Sequence, residues 1–160
     1  MAFNKVLNKS LEALLVLLMS VLVIDVLWQV ASRYILSNPS SFTDELAGFL
    51  LIWVGLLGAA YVAGRNEHLA IDILLQKTRE SRKRNLQLAI YICIFVFALA
   101  VMFVGGTWLV YTRFLLSVQS AALQLPLGYV YMVLPVSGAL IMYYSIFHIS
   151  QLKSNKSETK

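Results

Sequence analysis

Asp25 is an acid set well inside an apolar run, and Gln29 and Arg33 follow it at intervals of four residues, so the three share one stripe of a helix. A charge at the centre of a membrane helix costs roughly 2.5–3.5 kcal/mol on insertion scales, so an acid there calls for a partner, a proton or water. Two chemistries fit. Asp25 could serve as an ion or proton site, or the stripe could be a structural polar seam facing another helix, in which Gln29 bridges the acid to Arg33. The absence of a second acid deep in any other apolar stretch favours the seam.

Asp44 and Glu45 open the next apolar run, directly after Asn38-Pro39-Ser40-Ser41. Acids in a first turn are favoured by the helix dipole, and Ser41 is the expected cap. One of the two acids could equally pair with Arg33 across the short connection; the two roles are compatible, and the five residues Asp25, Gln29, Arg33, Asp44 and Glu45 are grouped as one seam. His68 and Asp72 stand one helical turn apart, which would suit a metal pair, but two ligands without a third read as a solvated polar face. There is no phosphate loop, no nucleophile elbow and no HExxH, and the one cysteine, Cys93, rules out a CxxC pair or an intrachain disulfide. No enzyme, metal or cofactor is expected.

The elements that must hold these residues are membrane helices. With 59% hydrophobic and 13% charged residues and a mean hydropathy of +0.75, the chain lacks the polar surface of a soluble domain. Stretches of about twenty apolar residues, the length that crosses a bilayer, fall at about 11–34, 46–64, 86–112 and 127–150. Ser117, Gln119, Ser120, Gln124, Pro126 and Gly128 supply the turn between the last two. The expectation is an all-α membrane protein of four transmembrane helices over residues 1–152, with a tail at 153–160. Eleven of the thirteen bases lie in the N-terminal segment, the 65–84 connection and the tail, and only Arg33 and Arg113 lie elsewhere. That asymmetry places both termini in the cytoplasm and argues against a nucleic-acid surface. Between spans two and three, polar residues at His68, Asp72, Gln76, Arg79 and Lys83 recur at helical spacing. This describes an amphipathic segment at the headgroup level, flanked by Arg65, with a solvated linker as the simpler reading. Gly48, Gly55, Gly58, Ala59, Ala60 and Ala63 give the second span a small-residue face suited to close helix packing. Gly105-Gly106 suggests another close approach, and Pro135 with Gly138 a kink.

Phe42-Thr43-Asp44-Glu45-Leu46-Ala47, Trp53, Leu57-Gly58-Ala59-Ala60-Tyr61, and then Arg65, His68 and Ile71-Asp72 together resemble the small membrane subunit of tripartite ATP-independent periplasmic (TRAP) transporters, the DctQ-like family. Arg33-Tyr34 and Ser120-Ala121-Ala122-Leu123-Gln124-Leu125-Pro126, with Tyr131 and Pro135, extend the resemblance over nearly the whole chain. It implies a non-catalytic subunit in a bacterial inner membrane that braces a large transport subunit. The large subunit would carry sodium and an organic acid of the C4-dicarboxylate or sialic acid type, fed by a periplasmic binding protein. Phe42, Asp44, Glu45, Gln119 and Gln124 would then be periplasmic contact points. The alternative is a small proton-coupled four-helix exporter using Asp25, against which the strong base asymmetry stands.

The base count makes a direct prediction. In a chain whose Cys93 is replaced, cysteines at Arg79 and Ser157 should be shielded from a membrane-impermeant thiol reagent in intact spheroplasts, and one at Ser40 should be labelled. The opposite pattern would invert the topology.

Overall fold

The computed structural model describes residues 2–37, 40–65 and 80–154. In chain order these form α1 (Ala2–Tyr34), α2 (Ser41–Arg65), α3 (Glu80–Phe97), a π-helical segment (Ala98–Gly105), α4 (Gly106–Leu115), α5 (Leu127–Tyr131) and α6 (Val133–Ser154). Among the described residues there is no strand, only an isolated bridge between Gln119 and Pro126. Four helical stretches are long and apolar enough to cross a membrane: Asn4–Tyr34, Ser41–Arg65, Lys83–Leu115 and Leu127–Leu152. The third runs through α3, the π segment and α4; the fourth is α5 with α6.

All four helices overrun the expected apolar windows at one end or both. An apolar window ends where charges crowd, whereas a helix can carry charge once it reaches headgroups or water. Lys5 and Lys9 ride exposed on the first turns of α1, Asp44 and Glu45 sit in the first turns of α2, and Lys83 and Arg84 belong to α3. The last residues of the expected amphipathic segment are therefore the start of a membrane helix. The rest of that segment, 68–79 with His68 and Asp72, lies outside the described residues, as does the tail from 155.

The spans pack in the order first, second, fourth, third: α1 lies along α2, α2 along α6, and α6 against α3 and the π segment. At its start α1 also reaches α6, where the Tyr143 hydroxyl donates to Asn4 Oδ1 at 2.6 Å and the Tyr144 hydroxyl donates to Asn8 Oδ1. Two small cores result. Leu11, Leu57, Val133 and Tyr144 form one, and Ala60, Ala63, Ala98, Met102 and Ile141 form the other. Between α2 and the third span, an apolar cleft of about 480 Å³ opens over Ile141.

Lipid tails are as apolar as leucine, so helices associate in a bilayer through close packing and polar pairs. The close approaches fall on Gly64, Gly106, Gly128 and Gly138. A Cβ on Gly64 would lie 2.7 Å from the Tyr144 ring, one on Gly106 2.9 Å from Leu134 Cβ, one on Gly128 2.5 Å from the Phe114 ring, and one on Gly138 2.8 Å from Met102 Cβ. Gly105, by contrast, meets only the Ala100 carbonyl at 3.6 Å. A Cβ at Gly48, Gly55 or Gly58 would have nothing within 4 Å. Among the described residues, the glycines of that small-residue face meet nothing in this chain, whereas its Ala60 and Ala63 are buried in the core.

The fourth span is interrupted at Met132, and Pro135 explains the position. In an unbroken helix Pro135 would be required to donate to Tyr131, which it cannot; restarted at Val133, the helix holds Pro135 in its first turn, where no donor is needed. Facing it, the eight-residue π segment lays its backbone against Gly138, with Phe103 N 3.1 Å from where a Cβ would be. π-helical turns are rare, and here the widened backbone occupies space that a side chain at 138 would have filled.

Gly138→Ala should therefore cost about 1–3 kcal/mol by overpacking, whereas Gly55→Ala should change stability by less than about 0.5 kcal/mol. Thermal unfolding of both variants in detergent micelles checks this, and equal losses would contradict the packing described.

Candidate functional site

The polar groups converge where the second span begins. The α2 N-terminus is capped by Ser40, whose Oγ accepts from Thr43 N at 3.4 Å, while the Thr43 hydroxyl donates back to the Ser40 carbonyl at 3.0 Å. The cap is thus one residue earlier than the expected Ser41, because the helix already includes Ser41.

Glu45, one turn further on, does not cap its own helix. Its carboxylate reaches the 117–126 turn between the third and fourth spans and accepts three consecutive backbone N–H groups: Ala121 at 3.0 Å on Oε1, and Ala122 at 2.9 Å and Leu123 at 2.8 Å on Oε2. Successive N–H groups of a tight turn point to one side and make a concavity for an anion. The turn itself is closed by Ser120 N to Leu125 O at 2.9 Å, Leu127 N to Val118 O at 2.9 Å and Gln124 N to Ser120 O at 3.2 Å. Ser117 and Gln124 take φ of 48° and 53°, in the left-handed region that non-glycine residues seldom adopt. Each such residue costs on the order of 1–3 kcal/mol, and hydrogen bonds to a charged acceptor, net about 1.5–3 kcal/mol, are of a size to offset it.

Asp44, beside Glu45, accepts from Gln29 Nε2 at 2.6 Å, which joins the first and second spans. That bond corrects two expectations. Gln29 does not bridge Asp25 to Arg33, since its amide is turned to α2, and Arg33 pairs with neither Asp44 nor Glu45, whose oxygens already hold other donors; Arg33 remains exposed. Asp25 is only 7% exposed and its Oδ2 has no partner among the described residues. The five residues of the expected seam therefore do not bond as one: Gln29 with Asp44 and Glu45 with the turn form two separate ties, and the buried Asp25 has an Oδ2 without a partner among the described residues. Phe42, Gln119 and Gln124 lie exposed around this end. Arg65, exposed in the last turn of α2, folds over its own Tyr61, donating to the hydroxyl at 2.7 Å.

Other internal ties were not read from the sequence. Trp53 Nε1 donates to the Val130 carbonyl at 3.1 Å, joining the second and fourth spans. His148, buried in the fourth span, lies 3.2 Å from the Ala63 carbonyl and stacks on Tyr91 with centroids 5.5 Å apart. A lone histidine in an apolar run was the available signal. Among the described residues, no group of three or more His, Cys, Asp or Glu could hold a metal ion. The arrangement ties helices together.

Residues 13–153 match the family described as tripartite ATP-independent periplasmic transporters, DctQ component. The chain belongs to this family. It is 30% identical over 102 residues to the sialic acid TRAP transporter small permease protein SiaQ of Vibrio cholerae, an alignment covering 64% of this chain and 59% of that protein. It is 26% identical over 140 residues to a protein of Haemophilus influenzae named for a TRAP transporter small permease, with 84% and 81% of the two chains covered. A third relative, the sialic acid TRAP transporter permease protein SiaT of H. influenzae, is 34% identical over 73 residues, which are 43% of this chain and 12% of that much longer one. The protein is a TRAP transporter small permease subunit with four membrane-spanning helices.

In this DctQ-type subunit the Glu45 clasp should be visible in amide exchange. Glu45→Gln keeps one acceptor but places an NH₂ against the N–H cluster, so exchange across 120–125 should quicken by about tenfold or more. Hydrogen-exchange mass spectrometry in micelles reads this, with the backbone amides of α6 as the internal reference.

Proposed function

We propose that this chain braces a large permease subunit during sodium-driven uptake of an organic acid delivered by a periplasmic binding protein, in a bacterial inner membrane. Both termini and the 65–84 connection would be cytoplasmic, in keeping with eleven of thirteen bases lying there. The 35–40 connection and the 117–126 turn would face the periplasm. A sialic acid or C4-dicarboxylate is the substrate class. The names of two relatives, both of sialic acid systems, support the first of these.

The observation that carries a bracing role is the division of labour among polar groups. Asp44, Glu45, Trp53, Tyr144 and His148 all bond within the chain, and each joins one span to another span or to the turn. What is left outward is apolar and smooth, including the open glycines at 48 and 55. Such a face suits helix-to-helix contact with a larger membrane partner. The similarity to a stretch making up 12% of the longer permease SiaT supports the same pairing. The exporter reading rests on Asp25 alone, and membership of the DctQ family argues against it. On this reading Asp44 and Glu45 stabilise the outer end, while exposed Phe42, Gln119 and Gln124 remain open to the binding protein.

Proteoliposomes test the proposal. With the cognate large subunit and binding protein present, an inward sodium gradient should drive uptake of labelled sialic acid or C4-dicarboxylate; the small chain alone should transport neither. Transport by the small chain alone, or by a proton gradient without sodium, would overturn it. Gly48→Leu combined with Gly55→Leu should reduce co-purification with the large subunit. Because a Cβ at either position would meet nothing within 4 Å among the described residues, its own thermal unfolding should be nearly unchanged. Full complex formation and normal uptake by this double variant would remove the packing role of that face.

A further inference from the structure

The third span widens partway along, and its buried positions there are Ala98, Met102 and Gly106, four residues apart. At 3.6 residues per turn each step of four drifts by about 40°, so a regular α-helix would carry such a row away from the fourth span. The widened turns of Ala98–Gly105 offset the drift and hold Met102 on Gly138 and Gly106 on Leu134 and Pro135. Both sides of the widened stretch are tied. Before it, Tyr91 stacks on His148; after it, Phe114 packs on Gly128 and Arg113 lies over Tyr131. Surplus backbone held between two tied ends can travel along the helix but cannot leave it.

The outer end of the stretch suits such travel. The Gly106 N–H is shared among the carbonyls of Val101, Met102 and Phe103, the acceptors of a π, an α and a 3₁₀ turn respectively. A change from one to another there forfeits no whole hydrogen bond. The Thr107 hydroxyl donates to the Phe103 carbonyl at 2.6 Å, so that oxygen keeps a donor as the backbone N–H moves off it. Gly105 and Gly106 already take α torsions, with φ of −62° and −63° and ψ of −41° and −43°.

The tandem glycine is the second observation. Gly106 is required where it stands, because a Cβ there would lie 2.9 Å from Leu134 Cβ and 3.1 Å from Pro135 Cδ. A Cβ on Gly105 would make only an ordinary contact, at 3.6 Å from the Ala100 carbonyl. Present packing therefore does not call for glycine at 105. A helix moved by one residue does, since 105 would then face Leu134 and Pro135 in place of 106.

We propose that the third span has two registers against the fourth. In the one described, the widened turns precede Gly106, and Gly106 makes the close approach. In the other, a widened turn has passed outward beyond Gly106, Gly105 makes that approach, and Val101 replaces Met102 against Gly138. The exchange remodels the wall of the apolar cleft over Ile141, to which Met102 contributes, while both tied ends of the span stay in place.

Helix register shifts occur in microseconds to milliseconds, so relaxation dispersion of the isotope-labelled full chain in detergent micelles tests this. Val101, Met102, Val104 and Gly105 should share one exchange process, with a minor register populated at about 1–10%, while Leu15 and Val23 of the first span show none. Gly105→Ala should leave the major register and its thermal unfolding nearly unchanged. It should still cut the minor population about fivefold or more, because its methyl would press on Leu134 only in the other register. Gly58→Ala, the same change at an open position of the second span, should leave the exchange as it is. Gly106→Ala acts in the opposite sense and should move the Met102 signals toward those of the minor register. Flat profiles in the wild type, or exchange that Gly105→Ala leaves unaltered, would overturn the two registers. Equal suppression by Gly105→Ala and Gly58→Ala would do the same, since it would report general stiffening and no register shift.

Discussion

A backbone that enters a bilayer cannot leave N–H groups unpaired, and a tight turn between two spans is where that requirement is hardest to meet. Here one side chain meets it. The Glu45 carboxylate gathers the N–H groups of Ala121, Ala122 and Leu123, so the start of the second span and the junction of the third and fourth become one unit. The first span joins the same end through Gln29 and Asp44, one residue away. At the opposite end Tyr143 and Tyr144 reach Asn4 and Asn8, and His148 reaches the Ala63 carbonyl. The helices are held by polar ties near both ends and by close backbone approach between them.

The approach between the ties is a matter of shape. Tyr144 is wholly buried because Gly64 leaves room for its ring, and its hydroxyl then emerges at Asn8. Gly106 admits Leu134 and Pro135, and Gly138 admits the widened π backbone at Met102 and Phe103. The chain break that Pro135 imposes and the irregular third span sit side by side. Each irregularity therefore occurs where its neighbour has given up a side chain or a donor.

Much of this was legible in the residues. Windows with few or no charges located four spans, because charges inside hydrocarbon are costly enough to be sparse there. The turn at 117–126 was legible from its polar residues and Pro126, and the family from Phe42 to Ala47 and the later motifs. The role of Glu45 was not. Its partners are 76 to 78 residues away and are backbone atoms, which leave no trace in side-chain identity. Nor could the sequence say which glycines make contacts: Gly55 and Gly64 are the same residue type on the same helix, and only the direction each faces separates them. The π segment was invisible because a stretch that is apolar all round shows no change of period when it widens. Asp25 was singled out as costly and lies buried, but the bridge expected for it depended on a glutamine that turned to a different acid.

The four spans form a shallow row more than a closed bundle, and only the fourth has much of its surface covered by its neighbours, 39% of its most apolar stretch against 6% for the first. A water-soluble domain carries its own solvent-excluding interior, but this one has little interior. Its acyl-chain surroundings complete the fold. With helices of 31, 25, 33 and 26 residues in one row, the hydrocarbon thickness around it cannot match all four at once. At 1.5 Å per residue the longest and shortest differ by about 12 Å, so the longer ones must lean or protrude. The lengths of the surrounding lipid chains thus help to set the angles between the helices.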